Sequence, residues 1–152
     1  MKTCIEIWGK EYLRFCDTRS IVSLEDKGTT QYIATNKEKK QVGVYRVDGG
    51  LISDNEKKCD YLLFTETGAK KDIYLIELKG QNIVQALRQL NRSVDVLIIE
   101  EKNEFHSVNC RLVATKQRTP DINTSDEIRL KKKLNMYNGN LKKGNLLLKE
   151  EI

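Results

Sequence analysis

Two dense apolar runs lying close together place the main constraint on this chain. Cys59-Asp60-Tyr61-Leu62-Leu63-Phe64 and Asp72-Ile73-Tyr74-Leu75-Ile76-Glu77-Leu78 flank a polar loop, 65–71, that contains Gly68. A strand with one wet face alternates apolar and polar residues, so runs this continuous predict central strands buried on both faces. Gly80 ends the second. Beyond it, Ile83, Leu87, Leu90, Val94, Leu97 and Ile98 share one helical face. That period predicts one long helix over 81–102 in preference to a strand at Val96-Leu97-Ile98-Ile99.

The flanking segments extend this strand–strand–helix unit. Upstream, 31–35 and 41–47 are β-rich runs parted by a charged turn at 36–40. Asp48-Gly49-Gly50 is a turn signal that could also bring a carboxylate to the sheet edge, and 51–53 reads as a short extension beyond it. Ile5, Trp8, Tyr12 and Phe15 fall at loose helical spacing and predict a short helix near the start. Downstream, 107–116 is the next strand, Thr119-Pro120-Asp121 opens a loop, and Ser125 starts a helix that Asn138-Gly139-Asn140 stops. A last strand falls near 146–148. The expectation is an α/β (α+β mixed) fold, a central mixed β-sheet flanked by helices. At 152 residues and 39% apolar the chain suits one domain, 1–152, with a core at about 42–115 and a basic strand–helix–strand extension at 116–152.

Several chemistries are disfavoured. Cys4, Cys16, Cys59 and Cys110 form no C-x-x-C pair and His106 is the sole histidine, which argues against zinc and for buried thiols in a reducing cytosol. There is no phosphate-binding G-x-x-x-x-G-K-[ST] loop and no G-x-S-x-G elbow. No apolar run approaches the ~18 residues of a membrane span. Glu6 stands where a signal peptide needs apolar residues, so the expected location is the cytoplasm, with no membrane partner.

The informative residues are Asp60 and Glu77-Leu78-Lys79. Five E-x-K tripeptides occur, beginning at Glu25, Glu38, Glu56, Glu77 and Glu100, but only Glu77 ends a buried-looking strand with a second acid at the head of its neighbour. Side chains alternate along a strand, so Glu77 and Lys79 share a face. A hairpin of the two strands sets Asp60 near Glu77, where two carboxylates and the backbone carbonyl of Leu78 offer hard oxygen ligands. That set suits Mg2+ or Mn2+. An ammonium at Lys79 beside such an ion can hold a water and stabilise charge on a phosphate. The competing account makes Asp60 and Glu77 surface acids paired to Lys58 and Lys79.

Asp60 … Glu77-Leu78-Lys79, followed by a glycine and a helix carrying glutamine, resembles the PD-(D/E)xK nuclease superfamily over about 42–115. The resemblance implies a restriction-endonuclease-like core in α-β-β-β-α-β order and a Mg2+-dependent phosphodiester hydrolase. Asp60 and Glu77 match its metal-binding acids and Lys79 its lysine; Cys59 replaces the proline. Of two helix glutamines, Gln89 borders the apolar face with Asn82, Ala86 and Ser93, while Gln85 points away, so Gln89 is the candidate for orienting the site or touching a phosphate. The family also places a glutamate on the first helix, for which Glu6, Glu11 and Glu25 are candidates. The resemblance further implies a phage-defence or mobile-element setting and a possible homodimer or partner protein.

Charge supports a nucleic-acid partner, DNA favoured over RNA. The chain carries a net +5, yet 116–149 alone has nine basic residues against three acids. Lys131, Lys132, Lys133, Lys142 and Lys143 are the candidate phosphate-backbone contacts. A merely solvated face, and a catalytically inactive nuclease-like module that binds nucleic acid or a protein, are the alternatives.

Overall fold

The computed structural model describes residues 2–26, 29–55, 58–79, 82–115 and 125–152, apart from the side chains of Lys79 and Lys102. The protein is a mixed α/β fold. Helix α1, Cys4–Trp8, is capped reciprocally by Thr3 and Glu6 and closed by Gly9 at φ 76°. Six strands follow: β1 Leu13–Asp17, β2 Ile21–Asp26, β3 Thr30–Thr35, β4 Gln41–Arg46, β5 Tyr61–Thr67 and β6 Lys70–Lys79. Helix α2 spans Ile83–Leu97, with Asn82 as its N-cap, and continues into a 3-10 segment, Ile99–Glu104. Strand β7 Ser107–Ala114, helix α3 Ser125–Met136 and strands β8 Leu141–Asn145 and β9 Leu147–Glu151 complete the chain.

The strands are hydrogen-bonded in the order β1-β4-β5-β6-β7-β8-β9-β3-β2. Pairing is antiparallel from β1 through β6, parallel from β6 to β8, parallel between β9 and β3, and antiparallel between β3 and β2. The α2 crossover makes the parallel β6–β7 pair possible, because parallel neighbours need a long return connection. β8 meets β9 only at Asn145↔Leu147, with Leu146 turned to φ 64° between them. The sheet doubles back there, so β2 and β3 lie over β6 and β3 over β7.

Two apolar layers result. On the helix side Phe64, Ile73, Leu75, Val108 and Leu112 pack with Leu87, Leu90 and Val94 of α2 and Leu130 and Leu134 of α3. On the other side Val44, Leu63, Ile76, Leu78 and Val113 meet Val22, Leu24, Tyr32 and Ala34 of the folded-back strands. Both faces of β5 and β6 are therefore dry, which is why their sequences are apolar without alternation.

Three expectations need correction. The opening helix stops at Trp8, and Tyr12 and Phe15 belong to the approach to β1 and to β1 itself. Residues 13–26 form two strands. The 65–71 loop shrinks to a turn at Gly68, because the β5–β6 ladder continues to Thr67↔Lys70. Residues 51–53 add only an isolated bridge, Asp48↔Ile52. The Thr119-Pro120-Asp121 loop lies outside the described residues.

Candidate active site

Strand β5 begins where α2 holds the chain before it. Ser93, fully buried, accepts the Cys59 N–H at 2.8 Å and donates to the Gln89 carbonyl at 2.8 Å. Gln89 Nε2 donates to the Lys58 carbonyl at 3.0 Å. One turn of α2 thereby fixes Lys58 and Cys59, and the next residue is Asp60. Its N–H donates to the Ile76 carbonyl at 3.0 Å, its carbonyl accepts from Val47, and its Oδ2 accepts the Leu78 N–H at 2.8 Å. Asp60 is thus bonded to the residues on both sides of Glu77.

Glu77 is 0% exposed, on the α2 side of β6 with Ile73 and Leu75. A carboxylate so deep is costly unless it is compensated, so it is no surface acid. Burial pushes the Cys59 thiol well above its ordinary value; the Ser93 hydrogen bond opposes this, and the charges of Glu77 and Asp60 add to it. Cys59 therefore stays a neutral thiol beside two carboxylates. Apart from Cys59, the donors at this strand end are oxygens, the class that hard divalent cations prefer. Leu78, between Glu77 and Lys79, commits its N–H to Asp60. Lys79 closes β6 in register with Ala114, and its side chain lies outside the described ones.

Asp60 also borders an open cleft of about 180 Å3, walled by Glu25 and Asp26 of β2 and by Arg46, Asp48 and Tyr61. Glu25 accepts from Gln31 Nε2 at 3.0 Å. Among the described residues no three His, Cys, Asp or Glu side chains converge as a metal-ligand group. Of the proposed first-helix glutamates, only Glu6 is helical, and it is engaged in the α1 capping box; Glu11 follows the helix, and Glu25 reaches the Asp60 cleft from a strand. The carboxylate at the Asp48 turn lines the same cleft. Sequence inspection had no means of finding Asp26, whose approach depends on the doubled-back sheet. Ser93 was visible on the Gln89 stripe, but its bond to Cys59 was not.

Lys58, 8% exposed, forms ion pairs with Asp48 at 3.9 Å and Asp54 at 3.8 Å. His106 bonds Asp72 at 2.9 Å at the far end of β6. The five candidate lysines are not brought to one surface. Lys131 and Lys143 pair with Glu127 at 3.5 and 2.6 Å, and Lys133 pairs with Asp95 at 2.8 Å. Lys142 points to the other side of β8, where it pairs with Glu150 at 3.5 Å. Lys132 is exposed on α3. Asp95 of α2 and Glu150 of β9, outside the basic segment, thus each pair with one of its lysines. Among the described residues no helix is long and apolar enough to cross a membrane. Comparison with protein-family models, curated proteins and solved structures finds no match for this chain.

Proposed function

We propose that this protein is a metal-dependent nuclease of the PD-(D/E)xK type, a cytoplasmic phosphodiester hydrolase acting on DNA in preference to RNA, in a phage-defence or mobile-element setting. The observation that carries the reading is Asp60 bonded to both neighbours of buried Glu77 at the head of two central strands. The order β4-β5-β6, then α2, then β7 parallel to β6, supports a restriction-endonuclease-like core.

Asp60, Glu77 and the Leu78 carbonyl would hold Mg2+ or Mn2+. When bound, the ion supplies charge stabilisation at the phosphate and a more acidic water. The chain's own residues do the rest. The Leu78 N–H locks the Asp60 carboxyl in one orientation. Gln89 acts through the backbone, holding Lys58 so that Asp60 is presented at a fixed place, which makes it a positioning residue. Lys79, two positions from Glu77, would orient the attacking water and oppose negative charge on the phosphate. Preorganised charge of this kind contributes without reorganisation during reaction.

Purified protein is expected to cut plasmid or oligonucleotide substrates with Mg2+ or Mn2+, and Glu77→Gln and Lys79→Ala are each expected to lose about 100-fold or more in rate. Equal cleavage by wild type and Lys79→Ala overturns the mechanism. A non-catalytic module is favoured by one observation, the lack of three converging ligand side chains among the described residues. It predicts salt-sensitive binding without turnover, and no Mn2+ heat in calorimetry that Glu77→Gln removes.

A further inference from the structure

A concavity outside the Asp60 region lies between α2 and α3. It is a groove of about 480 Å3 whose walls include Arg88, Asn91 and Arg92 of α2 and Asp126, Arg129 and Lys133 of α3. Arg88 and Arg92 stand four residues apart on one helix, and Arg129 and Lys133 four apart on the other. Each helix thus turns an i, i+4 pair of cations toward the groove. Like charges at this spacing repel, so the arrangement carries a cost unless anions sit among them.

Asp95 and Asp126 line the groove with these cations, and three of the four cations meet a carboxylate. Arg88 meets Asp126 at a long 3.4 Å and remains 55% exposed, and Lys133 reaches Asp95 at 2.8 Å. Arg92 is bound by Asp54 through two bonds, 3.1 and 2.7 Å. Arg129 has no ion pair among the described residues. The Arg88 pair is long and its guanidinium half exposed, so a phosphate can compete for it, and guanidinium forks suit phosphate best. Asn91, between Arg88 and Arg92 on α2, is 5% exposed and donates Nδ2–H to the Asp126 carbonyl, which ties α3 to α2 at the groove.

We propose that the α2–α3 groove is a nucleic-acid-binding site, in which Arg88, Arg92, Arg129 and Lys133 take backbone phosphates. It keeps Lys133 and replaces Lys131, Lys132, Lys142 and Lys143 as the principal contact surface. The groove adjoins the site already described: Asp54, which holds Arg92, also pairs with Lys58, two residues before Asp60. Nucleic acid seated there approaches the strand end that α2 positions. The placement deepens the nuclease reading and rests on it for its purpose, but not for its chemistry.

The test is fluorescence anisotropy with fluorescein-labelled 20-residue DNA and RNA duplexes in EDTA, so that binding is read without cleavage. Arg129→Glu and Arg88→Glu are each expected to weaken binding about 10-fold or more. The Arg88→Ala/Arg129→Ala double variant is expected to lower the slope of log K against log salt by about 2. Lys37→Glu, an equal charge change at the exposed β3–β4 turn, is expected to bind as wild type. A difference between the DNA and RNA arms identifies which backbone is preferred. Binding by the groove variants equal to wild type, an equal loss in Lys37→Glu, or no binding by wild type to either duplex overturns the proposal. Loss of binding in the groove variants of a protein that never cuts would sustain the groove and defeat the nuclease; cutting with unaltered groove-variant binding would do the reverse.

Discussion

Single atoms fix where Asp60 stands. Ser93 Oγ serves one buried backbone donor and one acceptor at once, a bridge that no apolar side chain can make. Ser93→Ala leaves the Cys59 N–H buried without its acceptor and is expected to cost about 1–3 kcal/mol, read as a lower urea midpoint at unchanged m. Cysteine chemistry follows burial in the same way. Burial raises the thiols of Cys4 and Cys59 well above their ordinary values and pushes Cys110 up to about 12. Cys16 is only half-buried. Ellman's reagent at pH 8 is therefore expected to modify Cys16 in the native protein and all four thiols in denaturant.

Between elements, the joint of the two sheet layers is polar. Arg111 of β7, 3% exposed, donates Nε–H to Glu150 of β9 at 2.7 Å, and Tyr32 of β3 donates its hydroxyl to the same oxygen at 2.6 Å. Burial alone would raise the Glu150 carboxyl; the hydrogen bond and charge of Arg111, with help from Tyr32 and Lys142, outweigh it and hold the group below its usual value. The native state then binds fewer protons here than the unfolded chain. The resulting stability is present in full above the ordinary value of 4.5 and is lost as pH falls through the lowered native value. Glu150→Gln, which leaves a buried cation, is expected to cost about 3–5 kcal/mol at pH 7, with the gap to wild type narrowing below pH 4.5 in denaturant titrations. The corner at Leu146 is a different case. Its φ of 64° is strained for a leucine that is 49% exposed, and its backbone bonds to Ala114 and Gln31 survive a change of side chain. Leu146→Gly is expected to gain up to about 1 kcal/mol, seen as a higher Tm.

For the molecule as a whole, ligand linkage offers a measure independent of turnover. Anything that binds the native state alone raises stability by mass action, about 2.7 kcal/mol at a hundredfold excess over Kd. Millimolar Mn2+ is expected to raise the Tm of wild type and to leave Asp60→Asn and Glu77→Gln unshifted in differential scanning fluorimetry. Equal shifts in all three would assign the effect to another part of the surface.

The amino-acid order by itself determined β5, β6 and α2, because dense apolar runs and a 3.6-residue period are local signals that tertiary contacts only reinforce. It also singled out Asp60 and Glu77 as acids at neighbouring strand ends. Strand β2 did carry the alternation of Val22 and Leu24, over a span too short to stand out, and β8, Leu-Lys-Lys-Gly-Asn, carried no apolar pattern at all. It is a strand because β7 offers an edge for backbone pairing. Tertiary structure alone decided that β3 pairs with β2 and β9 instead of β4, and that Glu25 and Asp26 reach the cleft of Asp60. It decided too that Asp95, Glu127 and Glu150 neutralise lysines distant from them in sequence. Hydrophobic periodicity is written along the chain, whereas charge compensation and edge pairing depend on distances that exist only after the sheet has doubled back at Leu146.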